Sequence, residues 1–375
     1  MAVAADLRLS ITGDGDQRRA LVVIFLRGAA DGLTLVPPAA DDDYQRARPT
    51  LALRPESCLP LDDLFGLNPQ LADLLPLYRD GRLAVIHAAG SEDDSRSHFA
   101  AQDLMEHGGL VAGGWLGRFL RQRPTRPGAL LAVAVGEALS ESLRGAPSVA
   151  VMRSLEDFTL GPDADRLVPR LARLWAGEGG ELGRAARDTL AALRRLEALR
   201  AAPYRPAGGA VYPPGDFGRG LELVARLIKA RVGLEAATLD LGGWDSHFAQ
   251  STLIRPLMAR LGTGLAAFAR DLGPELATTT VVVMTEFGRR LRENASLGTD
   301  HGRGSVMLVA GGGVAGGRVI ADWPGLADAV LEGPGDVPVK HNYRDVLAPV
   351  LHRHGVADLS EVFPGYRLAP LDLYG

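Results

Sequence analysis

Residues 278–313 read TTTVVVMTEFGRRLRENASLGTDHGRGSVMLVAGGG and contain two apolar runs separated by a polar loop. The first run, 278–284, is rich in β-branched residues and is followed closely by the carboxylate of Glu286. The loop carries Asp300 and His301, and the second run begins at Val306. Continuous apolar runs of this length are typical of strands buried on both faces. Acidic and imidazole groups beside such strands lie where open α/β sheets bind ligands.

The same alternation of strand and helix patterns extends along the rest of the chain. Strand patterns occur at 21–26, 83–87, 130–135, 148–152 and 234–241. Helical patterns follow Asn68, begin near Ser97 or His98, and cover 247–272, and residues 163–231 are mostly helical. This alternation predicts an α/β fold with a doubly wound, mostly parallel sheet. We expect one domain over 1–375, with a helical insertion or cap at about 153–232.

Composition excludes several classes of protein. The 375 residues are 46% hydrophobic and 23% charged, which are ordinary globular values. Net charge is −4, so we expect no nucleic-acid partner. No window approaches the ~20 apolar residues of a spanning helix, so we expect no membrane partner. Cys58 is the single cysteine, which excludes an internal disulfide, and the N-terminus lacks a signal-peptide pattern. A cytoplasmic location is expected for the chain as given, and the oligomeric state is left open.

Polar side chains follow five of the predicted strands and are expected at one edge of the sheet. They are Asp31, Ser95, Ser97, His98, Asp240, Asp245, His247, Glu286, Asp300 and His301. Hard divalent cations bind carboxylate oxygens, and zinc also accepts imidazole nitrogen. We therefore predict one or two divalent metal ions beside a serine, zinc by preference, with manganese, magnesium or calcium as alternatives. Two ions roughly 3.5–4 Å apart stabilise the attacking and leaving oxygens of an in-line displacement.

Most of these residues also have a structural interpretation. The alternatives are a turn former at Asp31, a helix N-cap at Ser95 or Ser97, a helix cap at Asp245 with His247 on the surface, and an ion pair of Glu286 with Arg289 or Arg290. The Asp300–His301 pair is harder to explain in this way, because it lies directly before an apolar strand.

Five motifs in this order resemble domain-of-unknown-function family 1501, a bacterial family placed in the alkaline phosphatase and sulfatase superfamily. They are LVVIFLRGAADGL, SRSHFAAQD, LDLGGWDSH, TEFGRR and TDHGRGSVMLVAGGGV, and the resemblance spans about 21–366. It implies an alkaline-phosphatase-like fold. It also implies roles, with Asp31 and Glu286 at a second metal, Asp245, His247 and His301 at a first metal, and Asp240 further out. Asp300 is then either a ligand or an orienting group for His301.

The resemblance further implies a reaction. Ser97, or alternatively Ser95, is the expected nucleophile, with Arg96 and His98 beside it, and Arg27, Arg289 and Arg303 are expected to bind substrate oxygens. The implied function is a metal-dependent hydrolase or transferase acting on small-molecule phosphate or sulfate monoesters. The resemblance also makes a periplasmic or exported location the alternative, if an upstream twin-arginine signal was removed.

Two departures from the pattern of the wider superfamily motivate a second hypothesis. Glu286–Phe287 stands where relatives carry an Asp-His pair, and Asp245 and His247 are two residues apart where relatives place them four apart. The alternative function is a metal-stabilised binding or partner protein that keeps the fold without turnover. A Rossmann-type nucleotide site at GGGVAGG, 311–317, is disfavoured because Arg318–Ile320 and DWPG follow instead of a helix. A serine esterase is disfavoured because no G-x-S-x-G motif surrounds Ser95 or Ser97.

Overall fold

The computed structural model describes residues 19–123, 130–157 and 161–374. Residues 1–18, on which the prediction of a missing signal peptide rests, lie outside the described residues. Residues 158–160, within the predicted insertion, also lie outside them. Within the described ranges, no helix is both long and apolar enough to cross a membrane.

Strands and helices alternate along the chain. The strands are β1 Ala20–Arg27, β2 Leu59–Pro60, β3 Gly66–Leu67, β4 Leu83–Gly90, β5 Ala132–Val135, β6 Val149–Met152, β7 Ala236–Gly242, β8 Thr279–Met284, β9 Arg289–Glu293, β10 Thr299–His301, β11 Ser305–Gly311, β12 Arg318–Ile320 and β13 His341–Asn342. The α-helices are α1 Gly32–Leu35, α2 Asp42–Ala47, α3 Leu75–Arg79, α4 His98–His107, α5 Trp115–Arg121, α6 Ala164–Ala176, α7 Gly180–Ala201, α8 Asp216–Lys229, α9 Gln250–Leu272 and α10 Tyr343–Arg353. Short 3₁₀ helices are Pro55–Ser57, Pro69–Leu74, Glu141–Leu143, Leu155–Asp157, Gly161–Asp163, Ala207–Gly209, Gly273–Thr278 and Asp328–Val330.

The central sheet has the strand order β12-β4-β11-β8-β1-β7-β5-β6, and β13 extends it beside β4. Its neighbouring strands are parallel except at β11, which is antiparallel to both β4 and β8. The mostly parallel α/β sheet predicted from the sequence is therefore confirmed.

The reversed direction of β11 determines where the Asp300–His301 loop lies. Ser305, at the start of β11, pairs with Ala89 near the end of β4, whereas Gly311 pairs with Thr280 near the start of β8. The segment that precedes β11 therefore lies at the same edge as the carboxyl ends of β1, β4 and β8. A loop that enters a strand is placed there only because that strand runs backwards.

Helices cover both faces of the sheet. Alternate residues of β1 enter two different buried clusters: Val22, Ile24 and Leu26 join one, and Leu21, Val23 and Phe25 join the other. Helices α8 and α9 pack on the first face, while α5 and α10 pack on the second. A strand buried on both sides has no polar face, which explains its continuous apolar sequence. This arrangement confirms the doubly wound prediction.

The helices of the predicted insertion differ in how they contact the main core. Helices α6 and α7 pack against each other around Val168, Leu190 and Leu193, and α7 also contributes Leu196 to the main core. Helix α8 contributes a larger set of residues to that core, Leu221 and Leu227 among them. Helix α8 is thus a layer of the central fold. The predicted insertion at about 153–232 stays a prediction, and α6 and α7 are its candidate members.

The helix predicted over 247–272 begins three residues later, at Gln250. Its N-cap is Ala249, which has a left-handed backbone with φ of 43° and makes no side-chain capping bond. Residues 243–249 form a loop instead. This loop directs Asp245 and His247 towards the edge of the sheet, so the alternative of Asp245 as a helix cap is not the arrangement observed.

The buried histidine of β4 makes stability depend on pH. His87 Nδ1 accepts a hydrogen bond from Ala88 N–H, and Nε2 donates to the carbonyl of Val36. Both bonds require the neutral ring, and burial lowers the pKa of His87 to about 4. Below a pH of about 6.5 the unfolded chain takes up a proton at this position that the folded chain does not. Stability therefore falls as pH drops from about 6.5 to 4.

We expect His87→Gln to lose less stability than wild type when the pH falls from 7 to 5, by up to about 2 kcal/mol. The glutamine amide can donate to Val36 but cannot take up a proton in this range. Chemical denaturation at the two pH values measures the difference. His352→Gln is the control, because His352 is exposed on α10 and its replacement should leave the pH dependence unchanged. An equal change in the free energy of unfolding between pH 7 and pH 5 in wild type and His87→Gln would contradict the prediction.

Candidate metal centre and catalytic site

Three side chains converge at the carboxyl edge of the sheet. His98 is the first residue of α4, Asp245 lies in the loop after β7, and His301 ends β10. One candidate ligand atom from each lies within 4.8 Å of the other two. We call these three residues the metal group. Asp245 and His301 were predicted as metal ligands, whereas His98 was predicted as a catalytic residue.

Glu286 orients the ring of His98. Its carboxylate is fully buried, and Oε1 accepts hydrogen bonds from Gly28 N at 2.9 Å, Gln102 Nε2 at 2.8 Å and His98 Nδ1 at 2.8 Å. Burial alone would raise the pKa of Glu286, but the hydrogen bonds, above all that from His98, lower it. Glu286 is thus a carboxylate anion that can only accept, so Nδ1 of His98 carries the proton.

The other nitrogen of His98 faces the centre of the metal group. In the neutral ring Nε2 then holds a lone pair, and it lies 3.5 Å from Asp245 Oδ2. It is buried and has no hydrogen-bond partner among the described residues. A histidine that donates one N–H to a carboxylate and presents the other nitrogen is the usual arrangement at metal sites.

His301 is oriented in the same way by a backbone carbonyl. Its Nδ1 lies 2.9 Å from the carbonyl oxygen of Arg96, which can only accept, so Nδ1 donates. Burial lowers the pKa of His301, which favours the neutral ring. Its Nε2 then presents a lone pair to Asp245 Oδ1 at 3.3 Å and to His247 Nε2 at 2.9 Å.

The carbonyl of Arg96 is held in place by a buried acid. Arg96 has a left-handed backbone with φ of 54°, which is uncommon for a residue with a side chain. Its guanidinium donates twice to Oδ2 of Asp336, a fully buried carboxylate, with Nε at 3.1 Å and Nη2 at 2.5 Å. Asp336 therefore stabilises the backbone conformation that aims the Arg96 carbonyl at His301.

The metal group has the donors of a cation site. Two imidazole nitrogens and one carboxylate face each other, and the hydrogen bond that His98 donates to Glu286 raises the pKa of His98. The group therefore favours a positive charge at Nε2 of His98, which a proton or a metal ion can supply. Imidazole nitrogen and carboxylate oxygen are ligands of divalent metal ions, and His247 can supply a further imidazole. The unpartnered Nε2 of His98 is the atom that such an ion would satisfy.

Arg289 positions Asp245. Its guanidinium is fully buried and lies 2.8 Å from Asp245 Oδ1. It also donates to the backbone carbonyls of Gly28, Ala29, Trp244 and Thr299. Burial alone would raise the pKa of Asp245, but the hydrogen bond and charge of Arg289 lower it to about 2. Arg289 was predicted to bind substrate. In the structure its buried guanidinium bonds three chain segments, those that carry Gly28, Trp244 and Thr299.

Phe287 packs beside the histidine ligands of the metal group. Its ring stacks on His98 with centroids 5.1 Å apart and lies 5.0 Å from the ring of His301. It is buried and has no donor or acceptor. Phe287 therefore restricts the rings of His98 and His301 without adding a donor atom.

The structure does not bring Asp31 into the metal group. Its carboxylate is buried, and both oxygens lie against the guanidinium of Arg48, at 2.5 Å and 3.2 Å. Oδ2 also accepts from Thr34 and Gln250, and Oδ1 caps α1 through Leu33 N. Burial alone would raise the pKa of Asp31, but the charge of Arg48 lowers it. Asp31 as a metal ligand therefore stays a prediction, and in this structure a buried arginine neutralises its carboxylate.

Ser97 lies at the N-cap of α4 but makes no side-chain capping bond. Its backbone N–H donates to Ser95 Oγ at 3.1 Å, and the exposed Ser95 donates to Asp93. The N-cap alternative for Ser97 is therefore not realised as a hydrogen bond. Its hydroxyl stays at the positive end of a ten-residue helix, where negative charge is stabilised.

The remaining predicted residues surround the metal group and pair with other side chains. Asp300 is half-exposed, accepts from Asn294 and Arg290, and has Oδ1 3.6 Å from His247 Nδ1, so it can orient His247. Arg27 binds Glu106 at 2.6 Å and Asp240 at 3.1 Å. Arg303 binds Glu332 and the carbonyl of Ser91.

Sequence reasoning missed Arg48, Gln102 and Asp336. Gln102 had a signal, because it follows His98 by four residues and so shares its helix face. Arg48 and Asp336 had none, since each acts through a partner that is distant in sequence and that only the folded chain brings near.

Residues 85–369 match the family model described as "Protein of unknown function (DUF1501)". The chain belongs to this family. The matched range covers β4 to the closing segment after α10 and includes the whole metal group of this DUF1501 chain. No curated protein matches the chain.

Among solved structures, this DUF1501 chain is similar to a protein in the alkaline phosphatase superfamily from Vibrio parahaemolyticus, at 11% identity and a TM-score of 0.36, covering 82% of this chain and 63% of that one. It is also similar to a 2-O GAG sulfatase, at 13% identity and 0.36, covering 94% and 74%. The alkaline phosphatase from the Antarctic bacterium TAB5 is similar at 10% identity and 0.30, covering 93% and 99%. The chain spans 63% of the length of the first of these proteins.

Removing the charge of Glu286 should weaken metal binding. We expect Glu286→Gln to lower zinc affinity about 10- to 100-fold, because the amide no longer holds His98 Nδ1–H as strongly. Calorimetric titration of zinc against a competing chelator measures the affinity. Glu137→Gln is the matched control, since Glu137 is exposed and pairs only with Arg153 among its described contacts. Unchanged zinc affinity in Glu286→Gln would show that Glu286 does not support a metal ligand.

Proposed function

We propose that this protein is a metal-dependent hydrolase of phosphate or sulfate monoesters with Ser97 as nucleophile. The observation that carries the proposal is the convergence of His98 Nε2, His301 Nε2 and the Asp245 carboxylate, with each ring held by its other nitrogen. The mixed nitrogen and oxygen donors favour zinc over magnesium or calcium. The placement of family 1501 in the alkaline phosphatase and sulfatase superfamily supports a phosphate or sulfate monoester as the substrate class.

One metal ion is proposed in place of two. The carboxylate of Asp31, expected at the second ion, is neutralised by Arg48. Beside the metal group, the buried guanidinium of Arg289 already supplies a fixed positive charge to Asp245. A second divalent ion next to these arginines would be repelled, so the arginines take over part of the charge that a second metal provides elsewhere.

The contacts made by the two neighbours of Ser97 support its proposed role as the nucleophile. The carbonyl of Arg96 bonds His301, and the next residue, His98, belongs to the metal group. The metal would supply Lewis-acid stabilisation of negative charge in the transition state. Ser97 Oγ forms a bond to phosphorus or sulfur while the ester oxygen leaves, and the serine proton ends on that leaving oxygen. Water then hydrolyses the seryl ester, which restores Ser97 and releases phosphate or sulfate.

Three of the predicted arginines are partly exposed. Arg27, Arg96 and Arg303 each keep part of the side chain accessible while paired with an acid. A guanidinium binds phosphate or sulfate oxygens bidentately. Their role in substrate binding remains part of the proposal, whereas Arg289 is assigned to positioning Asp245.

Replacing Ser97 with alanine should abolish turnover without removing the metal. We expect at least about a 10³-fold loss of kcat towards 4-nitrophenyl phosphate or 4-nitrophenyl sulfate, with zinc affinity unchanged. Ser95→Ala is the matched control, because Ser95 is exposed and bonded to Asp93. Full activity in Ser97→Ala, or loss only in Ser95→Ala, would exclude Ser97 as the nucleophile.

The second candidate function is a metal-stabilised binding protein without turnover. The Asp31–Arg48 pair and the buried Phe287 favour it, since both replace groups that a two-metal mechanism would use. In both cases zinc should raise the melting temperature, by a stabilisation of about 2.7 kcal/mol at one hundred times its dissociation constant. In His301→Gln this shift should shrink. Ester turnover that exceeds the Ser97→Ala background separates the enzyme from the binding protein.

A further inference from the structure

Three large apolar side chains are exposed beside the metal group. Phe99 is 85% exposed, Phe248 is 61% exposed and Leu297 is 53% exposed. Phe99 directly follows His98, and Phe248 directly follows His247, so their Cα atoms lie about 3.8 Å from those of the two histidines. Leu297 precedes Asp300 by three residues. We call these three residues the apolar rim.

Two members of the apolar rim lie on loops that are bonded together. Ala249 N donates to Ser296 O at 2.9 Å, and Gln250 N donates to Leu297 O at 2.9 Å. The contact needs a glycine, because a Cβ on Gly298 would lie 2.2 Å from the carbonyl carbon of His247. Phe248 and Leu297 are therefore fixed relative to each other and to His247.

The backbone at the apolar rim is strained. Leu297 has φ of 59° and Ala249 has φ of 43°, both in the left-handed region that costs free energy for residues with a Cβ. Glycine or asparagine would adopt this conformation more easily. Leu297 thus combines two unfavourable features, a left-handed backbone and an exposed apolar side chain. Such features persist at functional sites when binding uses them.

We propose that the apolar rim binds the leaving group of the ester, so that the substrate is a monoester of an aryl or alkyl alcohol. This inference rests on the proposed function. An ester whose anionic head faces His98, Asp245 and His301 would extend its organic group towards the exposed surface. Phe99 follows His98 there, and Phe248 follows His247, whose Nε2 lies 2.9 Å from His301 Nε2. Asp300, three residues after Leu297, is already bonded to Asn294 and Arg290. The surface offered to the organic group is therefore apolar.

Binding of n-alkylphosphonates and n-alkylsulfonates, from methyl to hexyl, tests the inference on the zinc-loaded full chain. These compounds carry the anionic head and the alkyl group but are not hydrolysed at the P–C or S–C bond. A fully buried methylene increases affinity about fourfold, so we expect a two- to fourfold increase for each methylene added up to about butyl. Calorimetric titration gives the dissociation constants.

Two variants locate the effect. In Phe248→Ser and in Leu297→Asn, the fold increase in affinity per added methylene should fall towards one. Asparagine is chosen at position 297 because it tolerates the left-handed backbone. Leu174→Ser is the matched control, because Leu174 is 65% exposed on α6. Leu174→Ser should keep the wild-type increase in affinity per methylene.

The methyl compounds separate this inference from the proposed function. If neither methylphosphonate nor methylsulfonate binds to the zinc-loaded chain, the proposed function fails and the inference fails with it. If a methyl compound binds but affinity does not rise with chain length, the proposed function stands and the inference is overturned. A rise with chain length that Phe248→Ser and Leu297→Asn both leave intact also overturns it.

Discussion

The site depends on the need to satisfy one buried carboxylate. Glu286 is fully buried at the end of β8, and its described hydrogen bonds come from Gly28 at the end of β1, from His98 and Gln102 on α4, and from its neighbour Thr285. A buried anion is stable only if donors surround it, so these bonds fix the start of α4 against the end of the central strands. The same bonds determine which nitrogen of His98 carries a proton. The hydrogen bonds to Glu286 therefore determine both the packing of α4 on the sheet and the protonated nitrogen of His98.

The second condition is topological. His301 precedes a strand, and in an all-parallel sheet it would lie at the opposite edge from the ends of β1, β7 and β8. Because β11 runs antiparallel to β4 and β8, its entering loop joins the rest of the metal group at the carboxyl edge. The Arg96 carbonyl then orients His301, and Asp336 stabilises the left-handed backbone of Arg96. One reversed strand and one buried acid therefore determine where His301 lies.

The strands were predictable because their signal is local. The seven apolar runs became β1, β4, β5, β6, β7, β8 and β11 with ends within three residues, since burial on both faces favours apolar side chains at nearly every position. The site was predictable only in its residue types. Asp245 and His301 were expected as ligands and belong to the metal group, whereas Asp31 carries the same chemistry but is paired with Arg48, seventeen residues later. A sequence shows a carboxylate but not the side chain with which it pairs in the fold. That pairing affects whether the carboxylate is available to a metal ion.

The two buried arginines determine how two carboxylates at this edge of the sheet are neutralised. Arg48 and Arg289 supply positive charge to Asp31 and Asp245. A side-chain cation does not exchange with solvent, so these two charges are permanent parts of the fold. A buried carboxylate that is paired in this way is stable without a bound ion. Phe287, which follows Glu286, adds ring packing against His98 and His301 and no donor atom.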